Sequence, residues 1–98
     1  MKKLFMVSLV KNGMIGGSLA ADSEAVTYRT GKLTVPPEYR YLEMKYRQIS
    51  FATAGWLFIL PTVTITMRSG REYQFAVFFG RKRLMDTLKA MGVEGYTQ

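Results

Sequence analysis

The sequence predicts a mostly β domain of about seven antiparallel strands that is closed by one C-terminal α-helix. Three observations support this fold class. Turn-forming residues recur at short intervals, the segments on both sides of Ser69-Gly70 alternate between apolar and polar residues, and the hydrophobic period changes after Gly80. Strand-length spacing of turns is typical of β-sandwiches and barrels, and the change of period marks the start of a helix.

The turn signals divide the chain into pieces of strand length. They are Asn12-Gly13, Asp22-Ser23, Thr30-Gly31, Pro36-Pro37, Gly55, Ser69-Gly70 and Gly80. The predicted strands are residues 4–10, 14–21, 25–29, 32–35, 41–51, 57–67 and 71–79. Within 41–51 the apolar positions change phase near Arg47-Gln48, which indicates a β-bulge.

The hairpin around Ser69-Gly70 gives the clearest prediction of a core. Side chains alternate between the two faces of a strand, so the odd-numbered set is expected to be buried together. This set contains Val63, Ile65, Met67, Tyr73, Phe75, Val77 and Phe79.

The predicted helix follows Gly80. Leu84, Leu88 and Met91 have the i, i+4, i+7 spacing of one apolar stripe, and Gly92 stands where a left-handed cap is expected. Residues 93–98 are expected to be loose. The chain is therefore interpreted as one domain, 1–98, with a core from about 4 to 92.

Composition argues for binding rather than catalysis. The 98 residues include neither cysteine nor histidine, and the seven carboxylates are scattered. Thiol chemistry is excluded, and the commonest acid–base and metal-ligating side chain is absent. No enzyme activity, cofactor or metal site is expected. The net charge of +7 favours an anionic partner, although it also promotes solubility.

The N-terminal segment allows two interpretations. Met1-Lys2-Lys3 before an apolar run resembles a signal peptide, but Lys11 interrupts the run and Asn12-Gly13 is a hairpin signal. We therefore expect the segment to belong to the fold. No apolar stretch is long enough to span a bilayer. The expected location is cytoplasmic, with peripheral membrane attachment as a possibility.

Several motifs resemble GRAM and bacterial pleckstrin-homology-like domains. They are GSLAAD at 17–22 with AVTYR at 25–29, YRQI at 46–49, TITMRSGREYQF at 64–75, and the amphipathic stretch 81–91. The resemblance implies a small pleckstrin-homology-like barrel or curled two-sheet sandwich that binds a lipid or a protein. Lipid-binding members carry Lys and Arg around the first hairpin turn. Here that turn is taken to be Asp22-Ser23-Glu24, whose acidity counts against headgroup binding there.

The types of residue in two segments indicate candidate binding sites. The densest basic group contains Arg68, Arg71, Arg81, Lys82 and Arg83, which either bind an anion or are ordinary solvated cations. The most apolar run, WLFILP at 56–61, either forms a buried strand, which we favour, or exposes Trp56, Leu57 and Phe58 to a partner or membrane.

Two functions remain open. One is a non-enzymatic pleckstrin-homology-like adaptor for a protein or an anionic lipid surface. The alternative is a basic β-barrel that binds nucleic acid, because bases and aromatics interleave in this chain as they do on nucleic-acid-binding sheets. The interleaved residues are Arg40, Tyr41, Lys45, Tyr46 and Arg47.

Overall fold

A computed structural model describes residues 2–32 and 34–98, so that Met1 and Leu33 lie outside the description. Its strands are β1 (Lys3–Val10), β2 (Met14–Ala21), β3 (Ala25–Arg29), β4 (Tyr41–Lys45), β5 (Ile49–Leu57), β6 (Leu60–Met67), β7 (Glu72–Val77) and β8 (Glu94–Thr97). One α-helix, α1 (Arg81–Ala90), precedes β8. The mostly β fold with a C-terminal helix is confirmed.

The described strands form one sheet in the order β4-β3-β2-β1-β7-β6-β5-β8. Every neighbouring pair is antiparallel except β5 with β8. The sheet is not closed into a barrel, because β4 and β8 remain as its edges. It curls nonetheless. Tyr28 on β3 and Phe75 on β7 lie three strand spacings apart along the sheet, yet their ring centroids are 5.4 Å apart.

The core fills the inside of this curl. Val63, Ile65, Phe75 and Val77 are buried as the alternation predicts, and Tyr73 and Met67 pack partly buried against them. Phe79 is exposed instead, so its assignment to the core was wrong. β7 ends at Val77 and the Phe78 amide continues its pairing with β1, but strand alternation no longer applies at Phe79, where the chain turns toward α1.

Three predicted strands differ from the structure. In the predicted strand 57–67, a turn at Phe58-Ile59 separates Leu57, which ends β5, from β6. Residues 32–35 include Leu33, which is not described, and the described residues of that segment form no strand. The predicted strand 41–51 is interrupted by a 3-10 turn at Tyr46–Gln48, which separates β4 from β5. A register irregularity follows between Ile49 and Phe51. The change of phase in the sequence was therefore a real break, larger than the bulge expected.

The C-terminal end of α1 matches the sequence prediction. Gly92 has φ = 89° and donates its amide to the Lys89 carbonyl, while the Val93 amide reaches the Leu88 carbonyl. This is a Schellman cap. The expectation that 93–98 is loose was wrong, because β8 pairs in parallel with β5. Once the cap reverses the chain, the next residues lie beside the free edge of β5.

Candidate functional site

One end of the molecule collects exposed apolar side chains. β7 runs antiparallel to both β1 and β6, so the end of β7 lies beside the starts of these two strands and the β5–β6 turn. Helix α1 begins at the same place, and the Arg83 guanidinium reaches toward the Leu4 carbonyl at 3.4 Å. We call this the apolar end and define it by Trp56, Phe58, Ile59 and Phe79.

The β5–β6 turn is the tip of this end. Leu57 pairs with Leu60, so Phe58 and Ile59 alone make the turn. Their exposed fractions are 93% and 88%. Such positions are usually Gly, Asn or Asp, because the backbone adopts positive φ. Phe58 has φ = 56°, an uncommon conformation for a bulky residue. The buried-strand interpretation of 56–61 was wrong at this turn, and the exposed interpretation describes it.

Trp56 stands at the base of the tip and is held by α1. The Arg81 guanidinium lies 4.6 Å from the centre of the Trp56 ring and donates a hydrogen bond to the Gly55 carbonyl. This geometry is a cation–π contact, which fixes the ring plane while leaving the indole 58% exposed. Leu57 is only half-buried beside it. Arg81 therefore ties the start of the helix to the β5–β6 hairpin.

The other two cations of the helix start face solvent. Lys82 forms an exposed ion pair with Asp86 at 2.9 Å, which raises the pKa of Lys82 and lowers that of Asp86. Arg83 lies over the Phe5 ring at 4.5 Å. With Lys3 they line an open depression of about 480 Å³. The first helical turn holds no acidic side chain, so its cations add to the positive end of the helix dipole.

The remaining two members of the predicted basic group lie elsewhere. Arg68 and Arg71 flank the β6–β7 turn, at the far end of β7 from α1. Arg68 donates from Nε to the Arg47 carbonyl at 2.8 Å, and Arg71 lines a different depression with Lys11 and Tyr39. The structure thus brings Arg81, Lys82 and Arg83 together and separates them from Arg68 and Arg71.

The interleaved residues proposed for nucleic acid do not form one stacking surface. Tyr46 is buried and donates its hydroxyl to the Asp22 carbonyl at 2.8 Å. Burial raises the pKa of this phenol. Tyr41 is half-exposed, and one of its ring faces is covered by Arg29 at 5.1 Å.

The first hairpin turn also differs from its assignment in the sequence. β1 and β2 form the first hairpin, and its turn is Lys11-Asn12-Gly13, which is basic. The acidic Asp22-Ser23-Glu24 segment joins β2 to β3 instead. The argument against headgroup binding that used the acidic turn therefore applies to the second turn. The sequence interpretation took the β2–β3 turn for the first hairpin turn, because the matched motif begins at Gly17 and leaves out β1.

Sequence reasoning missed Ile59 and Phe79 as surface residues. Each belongs to an apolar run that local pattern assigns to a strand, and each lies just beyond a strand end in the structure. The available signal was the density of large apolar residues around Gly55 and Gly80. Among the described residues, no helix is long and apolar enough to cross a bilayer.

Comparison with known proteins identifies the fold. No family model and no curated protein matches the chain. The C-terminal domain of an unknown protein from Leishmania infantum is similar in structure, with a TM-score of 0.75 and 10% identity over 91% of this chain and 80% of that one. A chain of the Spt16D–Pob3N heterodimer is also similar, with a TM-score of 0.71 and 14% identity. That match covers 99% of this chain and 55% of the other. The chain has a pleckstrin-homology-like fold.

Proposed function

We propose that the protein is a non-enzymatic pleckstrin-homology-like binding module that attaches peripherally to an anionic lipid surface through its apolar end. The observation that carries this proposal is the β5–β6 turn, where Phe58 and Ile59 are almost fully exposed. The proposal assigns no catalytic residue and no cofactor.

The residues of the β5–β6 turn lower the folding stability of the protein. A left-handed conformation costs a non-glycine residue roughly 1–2 kcal/mol, and Asn or Gly would relieve it. Two large apolar side chains in water gain nothing from folding, since neither leaves the solvent. Strain and exposure at one position are typical of residues retained for contact with another molecule.

The positive charges near the tip favour an anionic bilayer as the molecule that contacts the exposed turn. Cations near an anionic membrane surface contribute about 1 kcal/mol each, and a buried Phe or Ile contributes about 1.5–3 kcal/mol. A single weak attachment of either kind is readily reversed, so stable binding takes both. The apolar end supplies both, because Arg81 lies on Trp56 at the base of the tip and Lys82 and Arg83 follow it in the first turn of α1.

A protein partner is the competing occupant. The similarity to a chain from a heterodimer supports it, because that protein binds another protein. We favour the lipid surface because the exposed aromatics are accompanied by cations and lie at a protruding turn.

Vesicle binding tests the proposal with a built-in reporter. Trp56 is the only tryptophan of the chain, so its fluorescence reports on the apolar end alone. With vesicles of phosphatidylcholine and phosphatidylserine, we expect a blue shift and co-sedimentation that weaken as salt is added. Vesicles of phosphatidylcholine alone should bind much less. Absence of binding to the anionic vesicles would overturn the proposal and leave the protein partner.

The substitution Phe58→Asn separates function from stability. Asn tolerates positive φ, so we expect the free energy of unfolding to rise by up to about 1 kcal/mol in urea titrations while vesicle binding falls. The matched control is Met91→Gln, which removes an exposed apolar side chain at the other end of α1. Equal loss of vesicle binding in both variants would contradict a role for the tip.

A further inference from the structure

We propose that the lipid contact extends from the tip onto the outer face of the sheet, so that the protein docks in a tilted orientation with Met6 and Phe78 against the bilayer. This inference rests on the proposed function. It concerns a surface that the tip alone does not include.

Met6 and Phe78 lie side by side on the face of the sheet that points away from the core. On β1, Phe5 and Val7 are buried, whereas Met6 between them is 67% exposed. The Phe78 amide donates to the Met6 carbonyl at 3.3 Å, and Phe78 is 42% exposed. Leu4, two residues before Met6, is also exposed on this face.

This apolar surface is continuous with the tip. Thr62 pairs with Ala76 at the last registered position of β6 and β7, and the same register continued by two residues places Leu60 beside Phe78. Leu60 in turn pairs with Leu57, and the two residues between them are the tip itself. An apolar row thus crosses β1, β7, β6 and β5 and ends at the exposed turn.

The position of the row suits shallow insertion. Its last two members, Leu57 and Leu60, directly flank the tip, one residue or roughly 3 Å away along the strands. Groups that bind at the membrane interface bury their apolar side about 5–10 Å into the boundary of headgroups and acyl chains. A tip inserted to that depth brings the row to the level of the lipid.

The distribution of charged side chains determines the direction in which the protein tilts on the bilayer. The immediate outer-face neighbours of Met6 and Phe78 are uncharged, and the first cation beyond them on this face is Arg29 on β3. The neighbours are Leu4, Ser8, Ser18, Ala20, Leu60 and Ala76. The opposite side carries α1 with Lys82 and Arg83, together with Lys3. Charges are costly in hydrocarbon but favourable among anionic headgroups. Tilting onto the outer face as far as β2 therefore buries no charged side chain, and Arg29, which pairs with Ser18 on this face, marks the limit of the contact on β3.

Single-cysteine labelling tests the orientation, because the chain has no cysteine of its own. Met6→Cys, Phe78→Cys, Phe58→Cys and Met91→Cys, made one at a time, would carry an environment-sensitive fluorophore. With phosphatidylserine-containing vesicles we expect blue-shifted emission from positions 58, 6 and 78, and an unchanged spectrum from 91.

The outcomes separate the two proposals. A shift at 58 without shifts at 6 and 78 would overturn the tilted orientation and leave tip attachment standing. No shift at any position would overturn both. As a second measurement, Leu4→Ser with Met6→Ser should lower vesicle partitioning at least about tenfold. Unchanged partitioning in a folded double variant, monitored by circular dichroism, would also contradict the contact.

Discussion

Gly17 on β2 lies so close to β3 that no side chain fits there. A Cβ atom at this position would stand 2.2 Å from the Arg29 carbonyl oxygen and 2.8 Å from the Tyr28 ring. Because the obstacle includes backbone, the strand pair would have to separate locally. Glycine at position 17 thus has a steric reason in this chain.

We expect Gly17→Ala to lower the free energy of unfolding by about 1–3 kcal/mol, the usual range for overpacking. Gly16→Ala is the matched control, since a Cβ there meets only Ser8 Oγ at 3.9 Å. Urea denaturation of both variants measures the difference. Equal stability would show that β2 and β3 can move apart at little cost.

Asp22 gives a prediction of pH dependence. Its carboxylate accepts the Glu24 and Ala25 amides at 2.8 and 2.9 Å, and these hydrogen bonds lower its pKa. A carboxyl group with a lowered pKa stabilises the fold above its ordinary pKa, and this stabilisation is lost as the pH falls through the lower value.

Asp22→Ala should therefore be less stable than the parent protein at neutral pH, and the difference should shrink in acid. Thermal melts across that range measure it, with Asp22→Asn as the variant that keeps an acceptor. A difference that grows as the pH falls would contradict this role of the carboxylate.

At the scale of elements, the C-terminal cap of α1 determines where β8 begins. No atom lies within 4 Å of the Cβ position of Gly92, so its requirement is conformational only. Val93 is buried directly after the cap, and β8 follows at Glu94. The cap therefore both ends the helix and directs the chain to the edge of β5.

We expect Gly92→Ala to destabilise the protein by about 1–2 kcal/mol, because alanine is strained at positive φ. Gly92→Asn should be milder. Hydrogen exchange should show the largest loss of protection in β8 and the last turn of α1. Loss of protection confined to β1–β4 would contradict this coupling.

At the scale of the whole molecule, the distribution of charge matters more than its sum. The net charge is +7, and its cations lie near both ends of β7 and also on other elements such as β3 and β4. If attachment depends on position, removing charges beside the tip should have a larger effect than removing the same number elsewhere.

The double substitution Lys3→Gln with Lys82→Gln should weaken binding to phosphatidylserine vesicles by about tenfold or more, at roughly 1 kcal/mol per cation. Lys11→Gln with Lys32→Gln removes the same charge away from the apolar end and should have a small effect. Equal effects in co-sedimentation would indicate attraction by net charge alone.

The sequence alone determined the elements whose rules are local. Alternation identified Val63, Ile65, Phe75 and Val77 as core, and the change of period identified α1 and its glycine cap. These features depend on the geometry of a single strand or helix, so a short window of sequence contains them.

Only the tertiary structure decided which surfaces meet. Gly55 resembles a turn residue but lies buried in β5, while the actual turn uses Phe58 and Ile59, which give no turn signal. β8 forms because the end of α1 places the following residues beside the free edge of β5. The predicted basic group is divided because Arg68 and Arg71 lie at one end of β7 and α1 begins at the other. Strand pairing is a contact between distant segments, and the hydrophobic pattern of one segment does not specify its neighbour. The apolar end of this protein is therefore determined by the order of strands in the sheet.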